Sequence, residues 1–117
     1  MVWGKENGEA VNIYYNPEKF GLEVVDELDY GGSYEFDMCV LFRRVSDGHL
    51  LLGADSGCSC PAPFDGVKVA DLVDANVAYV YEWYNALPDY QKDGRDGPFE
   101  LTEKIRAWRE LKKVGDV

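Results

Sequence analysis

The chain of 117 residues has no long apolar run, a single histidine and only three cysteines. A membrane-spanning helix needs about 20 consecutive apolar residues, so no membrane span is expected, and the first residues lack the apolar stretch of a signal peptide. Basic residues are also scarce, since 12 Lys and Arg stand against 22 Asp and Glu for a formal net charge of −10. This balance argues against direct nucleic-acid binding and against attachment to an anionic membrane.

Motifs of the common enzyme classes are also missing. The sequence contains no Gly-x-Ser-x-Gly motif, no phosphate-binding loop and no dinucleotide fingerprint. The single histidine, His49, falls in a predicted strand at a distance from all three cysteines, so a Cys–His pair is not supported. We therefore expect a non-enzymatic protein.

The rest of the composition is typical of one folded domain. Apolar residues make up 46% of the chain and aromatic residues 14%, and a chain of this length buries a core without covalent cross-links. We expect a single domain over residues 1–117. Its first ten residues are rich in glycine and charge, so residues 1–10 are expected to be a flexible N-terminus.

Alternation of apolar and polar residues predicts a sheet in the first half of the chain. The clearest strand covers residues 34–43, and further strands are expected at 11–15, 22–29 and 49–55. The segment 56–66 holds two prolines and two glycines, so we expect neither helix nor strand there.

Helical spacing of apolar residues predicts two helices in the second half. The first covers residues 69–87, although Asn76 could break it in two and the run 77–84 could instead form a strand. The second starts at Pro98 or Thr102. Together these elements predict an α+β fold, in which a small antiparallel meander of three to four strands is followed by two helices packed on one face.

The clearest strand has one apolar face, formed by Phe36, Met38, Val40 and Phe42. We expect this face to be buried and the opposite, mostly polar face to remain in water.

The hairpin that follows is expected to have a three-residue loop, 46–48. This loop pairs Leu52 with Phe42 and Cys39 with Asp55, whereas a two-residue loop would mix the buried face with the solvent face. A slip of one residue moves every side chain of a strand to the other face, so the three-residue loop is preferred.

Acidic residues of the meander are predicted to share the outward side of the sheet. Like charges that face each other across strands are destabilising unless a cation or a basic partner relieves them. The hypothesis is an acidic face that binds a basic protein; the alternatives are solvated carboxylates screened by salt, or divalent-ion binding, for which no calcium-loop pattern is present. The candidate binding residues are Glu23, Glu27, Asp29, Glu35 and Asp37.

The first predicted helix also carries a second aromatic stripe. Tyr81 and Tyr84 are expected in the core, whereas Tyr79 and Trp83 lie four residues apart on another side. An exposed pair of this kind is a candidate anchor for a protein partner. The alternative is packing against the last helix through Trp108.

The cysteines leave three interpretations open. Cys58 and Cys60, with Cys39 as a third ligand, could hold a metal ion such as zinc, although their spacing is not that of common zinc knuckles. The two neighbouring thiols could instead form a redox pair. In the third interpretation the segment is a structural loop, in which Asp55 or Ser56 caps backbone amides and Gly57 adopts a positive φ.

Three stretches, 14–22, 34–38 and 55–64, carry a resemblance. The last of them reads Asp-Ser-Gly-Cys-Ser-Cys-Pro-Ala-Pro-Phe. These stretches resemble a group of small, uncharacterised proteins encoded by phages of actinobacteria, mycobacteriophages especially. The likeness covers residues 12–66, and no activity or catalytic residues carry over from it.

The resemblance implies a bacteriophage gene product that acts in the cytoplasm of its bacterial host. We therefore hypothesise a non-enzymatic accessory protein without a cofactor, which binds a host protein through the acidic face or the aromatic stripe. The alternative hypothesis is a thiol- or metal-binding protein that uses Cys39, Cys58 and Cys60, with zinc as the metal.

Overall fold

The computed structural model of the chain describes residues 5–6, 9–10, 12–32, 35–58, 63–92 and 94–115. Two short strands near the start pair with each other, β1 (Lys5–Glu6) and β2 (Glu9–Ala10). They lie within the segment expected to be flexible, and its flexibility stays a prediction.

The main sheet has four antiparallel strands in the order of the chain, so it is a meander. Helices follow it, and the predicted α+β class is confirmed. The strands of this sheet are β3 (Leu22–Asp29), β4 (Glu35–Arg44), β5 (Leu50–Cys58) and β6 (Val73–Asp74). The helices are α1 (Val77–Ala86), α2 (Asp89–Lys92) and α3 (Phe99–Gly115), with single 3-10 turns at Pro17–Phe20 and Val69–Asp71. Among these described helices, none is both long and apolar enough to cross a membrane.

The strand predicted at residues 11–15 is wrong where the structure describes it, because the chain turns there. The carboxamide oxygen of Asn12 accepts the backbone N–H groups of Tyr14 at 2.9 Å and Tyr15 at 2.7 Å. These bonds occupy donors that a strand would give to its neighbour. The buried Asn12 also donates from Nδ2 to the carbonyl of Pro63 at 3.2 Å, which ties this turn to the loop after β5.

The hairpin between β4 and β5 differs from its prediction by one residue. Its loop has four residues, 45–48, and the final glycine has a φ of +75°. Leu51 pairs with Phe42 and Leu52 pairs with Leu41, so the predicted pairing of Leu52 with Phe42 is wrong. Three consecutive leucines supply an apolar side chain to either face, so the hydrophobic pattern does not distinguish the two registers.

Both faces of the sheet are buried, because each is covered by a different part of the chain. The predicted apolar face is confirmed, and the turn at Ile13 and the segment that follows β5 cover it. This first core contains Ile13, Leu22, Phe36, Met38, Val40, Phe42, Leu51, Phe64 and Leu72.

The expectation that the opposite face stays in water is wrong, since α1 and α3 pack on it. Cys39 and Leu41 are fully buried there. This second core contains Cys39, Leu41, Leu50, Leu52, Ala75, Val80, Leu101 and Ile105.

The segment 56–66 is partly a strand, contrary to the prediction. β5 continues through Gly57 to Cys58 and pairs there with the start of β4. Gly57 lacks the expected positive φ because it occupies an extended ladder position beside the ring of Phe36. The predicted capping role of Asp55 is confirmed, because its carboxylate accepts the backbone N–H of Phe64 at 2.7 Å.

The long helix predicted over 69–87 is wrong before Asn76, where the chain makes the 3-10 turn Val69–Asp71 and the strand β6. One alternative placed a break at Asn76, and α1 begins directly after this residue. The side chain of Asn76 caps α1 by accepting the backbone N–H of Tyr79 at 2.8 Å. The alternative of a strand over 77–84 is wrong. In α3, Leu101 and Ile105 are buried, Trp108 is half-buried and Leu111 is 72% exposed.

Candidate functional site

The five carboxylates predicted to share one face are divided between the two faces. In β3, the pairing with β4 shifts between Val24 and Asp26, so Val25 forms a bulge. The extra residue reverses the alternation of side chains beyond it. The prediction of a single acidic face is therefore wrong: Glu23, Glu35 and Asp37 take positions of the helix-covered face, and Glu27 and Asp29 take positions of the opposite face.

On the helix-covered face, two of these carboxylates lie beside other side chains of the protein. Glu23 forms an ion pair with Arg43 at 2.5 Å. The side chain of Trp83 lies beside Asp37. Burial raises the pKa of Asp37 above its ordinary value, Trp83 opposes the rise, and the charges of Asp29 and Glu35 add to it. The ion pair with Arg43 relieves the predicted repulsion at Glu23, whereas Asp37 is still subject to the charges of Asp29 and Glu35.

On the opposite face, Glu27 and Asp29 are bound by neutral donors. The hydroxyl of Tyr14 donates to both carboxylate oxygens of Glu27. Burial, followed by this bond, raises the pKa of Tyr14. Asp29 accepts the backbone N–H groups of Gly31 at 2.9 Å and Asp37 at 3.1 Å. Neutral donors orient a carboxylate without cancelling its charge, so both residues remain negative groups, and their predicted binding role stays a prediction.

The predicted exposed stripe of Tyr79 and Trp83 is wrong. Both side chains are half-buried and pack against the second core. Trp83 stacks on Tyr30 with ring centroids 5.6 Å apart. Packing was the expected alternative, and the second core against which both residues pack contains residues of the sheet and of α3. Tyr81 and Tyr84, expected in the core, are only half-buried.

The cysteines are separated by the observed register. Cys39 pairs with Ala54 rather than with Asp55, and burial raises the pKa of its thiol to about 12. Cys58 pairs with Glu35, four positions away from Cys39 along β4. At about 3.3 Å per residue, the two backbone positions lie roughly 13 Å apart along β4, and a shared role of Cys39 and Cys58 stays a prediction.

Cys60 lies outside the described residues, so a role of Cys58 and Cys60 stays a prediction. In the part of the chain that the structure describes, no group of three or more His, Cys, Asp or Glu side chains could hold a metal ion.

A depression lies beside His49, and the contacts of this histidine connect elements of the fold. Its volume is about 470 Å³, and Asp47, Gly48, His49, Trp108 and Leu111 line it. The Nε2 atom of His49 lies 2.9 Å from Asp74 Oδ1, and its ring meets the ring of Trp108 edge-on at 5.0 Å. The histidine thus links the hairpin to β6 and to α3.

A larger groove, of about 610 Å³, follows the outer edge of β3. Five consecutive residues of the chain, 26–30, line one side of it. Since successive residues of a strand point to opposite faces, a groove lined by five in succession lies along the edge of the strand. β3 is the first strand of the sheet, and no further described strand pairs with it. The other side is lined by Arg95, Asp96, Gly97, Phe99, Glu100 and Leu101.

Tyr30 connects the two sides of this groove, which we call the β3 groove. Its hydroxyl donates to the carbonyl of Asp96 at 2.6 Å. The guanidinium of Arg95 lies 5.6 Å from the centre of the Tyr30 ring and donates from Nη1 to the carbonyl of Asp29 at 2.9 Å. Burial raises the pKa of Tyr30 above its ordinary value. A buried aromatic ring therefore supports a site whose rim is polar.

The β3 groove is strongly acidic. Its lining residues include five carboxylates and one guanidinium. One of the five, Asp26, forms an ion pair with Lys104 at 2.9 Å. Beside the charges, the ring of Phe99 is 63% exposed. The sequence pattern pointed to Glu27 and Asp29 but not to the far side of the groove, because no periodicity links residues 95–101 to residues 26–30.

The fold and the groove define an α+β domain that has an open sheet edge beside an acidic groove. The match of residues 11–93 to a family described as a domain of unknown function, DUF7574, shows that the chain belongs to that family. The matched region contains the whole main sheet and α1, and it ends before Asp96, Phe99 and Glu100 of the groove. Comparisons with the curated proteins and with the solved structures give no significant match.

Proposed function

We propose that this protein is a non-enzymatic binding protein whose β3 groove takes up a basic segment of a partner protein. In the context that the sequence resemblance implies, it is a phage accessory protein, and its partner is a protein of the host cytoplasm. The observation that carries the proposal is the concentration of five carboxylates around a groove of about 610 Å³. A basic segment complements this charge.

Most of the charge of the groove is available to a partner, because Asp26 is the one carboxylate of the five with an ion-pair partner among the described residues, Lys104, and Arg95 is the one cation in the lining. Glu27 is bound by a tyrosine hydroxyl and Asp29 by backbone N–H groups. Asp96 and Glu100 are exposed. Electrostatic complementarity of this kind speeds association and selects against acidic partners, and it weakens as salt is added.

The groove also offers an apolar contact. Phe99 is the most exposed phenylalanine of the described chain, at 63%, and it lines the groove together with Leu28 and Leu101. Aromatic residues within a polar rim are the usual anchors of protein interfaces. A partner segment that combines basic and apolar residues therefore fits the site better than a purely basic one.

Selection from a library of random peptides tests the proposal even though the partner is unidentified. We expect the selected peptides to be enriched in arginine and lysine. The variant Asp96→Lys/Glu100→Lys reverses two groove charges, and we expect it to bind the selected peptides at least about tenfold more weakly, which is about 1.4 kcal/mol.

The matched control is Glu18→Lys/Glu82→Lys, which changes the net charge equally at two exposed residues outside the groove. We expect this control to retain most of the affinity. Selected peptides without basic residues, or equal losses in both variants, would contradict the proposal.

A further inference from the structure

We propose that the partner segment binds as a fifth strand on the edge of β3 and displaces Arg95, with a backbone N–H of the segment on the carbonyl of Asp29 and an arginine side chain of the segment beside the ring of Tyr30. This inference rests on the proposed function and specifies the partner as an extended, arginine-bearing segment. It follows from the backbone of β3, from the position of Arg95 and from the charge of the groove.

The backbone of β3 is available for pairing at Glu27 and Asp29. The backbone N–H of Tyr30 donates to the backbone carbonyl of Asp37 in β4 at 3.0 Å. In an antiparallel strand, the backbone groups of successive residues point alternately towards and away from the neighbouring strand. Glu27 and Asp29 therefore direct their backbone groups away from β4. Two of those groups bond to side chains that an added strand would displace: the N–H of Glu27 to Asp26 at 2.8 Å, and the carbonyl of Asp29 to Arg95 at 2.9 Å.

Arg95 shows which chemistry the edge accepts. Its guanidinium bonds to a backbone carbonyl of the edge strand, lies over the ring of Tyr30 and is surrounded by the five carboxylates of the groove. An added strand would make the same contacts, with a backbone N–H on the carbonyl of Asp29 and an arginine side chain beside Tyr30 and the carboxylates. The chain thus occupies the site with its own arginine, and a partner has to displace it.

The edge also excludes most other strands. The bulge at Val25 interrupts regular pairing, and acidic side chains follow it at residues 26, 27 and 29. Bulges and charges on an edge strand prevent pairing with unrelated chains. Beyond the bulge, residues 26–29 keep a regular register with β4, so the added strand is expected to be short and basic.

The test uses a blocked hexapeptide of alternating arginine and valine, with binding measured by calorimetry on the full chain. The variant Arg95→Ala removes the competing side chain. If the Arg95 contact is formed about 80% of the time, only about one fifth of the wild-type molecules can bind the peptide, so the variant should bind it about fivefold or more tightly. The control Arg106→Ala removes an equal charge from an exposed residue of α3 outside the groove, and we expect a change below about twofold.

Two modified peptides separate strand addition from charge attraction. The first carries an N-methyl group on every backbone nitrogen and therefore cannot donate backbone hydrogen bonds to β3, and the second carries citrulline in place of arginine. We expect neither to bind measurably to the wild-type chain or to Arg95→Ala.

The outcomes also distinguish this inference from the proposed function. If the arginine–valine peptide binds the wild-type chain but Arg95→Ala does not bind it more tightly, or if the N-methylated peptide binds equally well, the inference is overturned and the proposed function stands. If library selection yields no basic peptide and the hexapeptide binds neither protein, both are overturned.

Discussion

The carboxylate of Asp55 accepts the backbone N–H of Phe64 at 2.7 Å and so closes the loop that follows β5. Phe64 has a φ of +64° and is fully buried. A left-handed conformation costs a non-glycine residue about 1–2 kcal/mol, which the burial of the ring against Phe42 and Tyr14 offsets. One side-chain bond thus positions the largest residue that covers the first core.

Loss of this bond is expected to destabilise the fold. Asp55→Ala leaves the N–H of the buried Phe64 without its acceptor, which costs about 1–3 kcal/mol. Asp55→Asn retains an acceptor oxygen and should cost less. Urea unfolding followed by circular dichroism measures both, with Asp65→Ala, at an exposed residue of the same loop, as the control. Equal stability of the Asp55→Ala and Asp65→Ala variants would contradict the role of Asp55.

Gly53 is expected to tolerate no side chain. A Cβ atom there would lie 2.6 Å from Leu72 Cδ2 and 3.1 Å from Phe64 Cε1. Gly53→Ala should therefore destabilise the protein by about 1–3 kcal/mol through overpacking. At Gly32 the nearest atom is 3.6 Å away, on the flexible Glu35 side chain, so Gly32→Ala is the matched control. A shift of the urea midpoint that is equal in the two variants would show that the first core is not packed as described.

Substitution of Trp83 tests whether this residue stabilises the fold or is exposed for binding to a partner. Because its ring stacks on Tyr30 and packs against the second core, Trp83→Ala should reduce the free energy of unfolding by about 2 kcal/mol or more. Tyr90→Ala, at a residue that is 73% exposed, should change it by less than about 0.5 kcal/mol. An unchanged stability in Trp83→Ala would restore the exposed stripe predicted from the sequence.

Stability is expected to fall at alkaline pH, with Cys39 as one cause. Burial raises the pKa of its thiol from 9.0 to about 12, so the folded chain holds this proton more tightly than the unfolded chain. The resulting stabilisation is complete below pH 9 and is lost as the pH rises towards 12, at about 1 kcal/mol per pH unit. Burial also raises the pKa values of Tyr14, Tyr30 and Tyr79, with the same sign.

The measurement is a series of urea titrations from pH 7 to pH 11, for which Cys39→Ala is the informative variant. Replacement of the thiol removes one titrating group, so the fall in stability above pH 9 should be less steep, whatever the stability at neutral pH. An identical slope in the wild-type chain and in Cys39→Ala would show that the thiol is not buried in the folded state.

Local patterns were sufficient for the class of fold and for one face of the sheet. Phe36, Met38, Val40 and Phe42 alternate with more polar residues, and all four are buried. Alternation depends only on how neighbouring residues of one strand are placed, so it can be recognised in the sequence. The break of the long helix at Asn76 was an open alternative for the same reason, because a cap acts on the residues next to it.

The register of the strands and the contact partners of their side chains could not be predicted without the tertiary structure. The bulge at Val25 moved Glu27 and Asp29 to the face opposite Glu23, and no periodic pattern of β3 alone locates such an insertion. The hairpin register was equally open, because the leucines at the start of β5 suit either face. In both cases the deciding contacts are made by helices and loops that pack on the two faces.

The acidic charge, the α+β class and the buried Phe36 face of this protein were predictable from the sequence, because these follow from composition and from contacts between near neighbours. Tertiary packing was needed to show that both faces of the sheet are covered, that Trp83 packs inward and that residues 95–101 meet residues 26–30 in one groove. These features join parts of the chain that are far apart in the sequence, and contacts over such separations depend on the packing of whole elements.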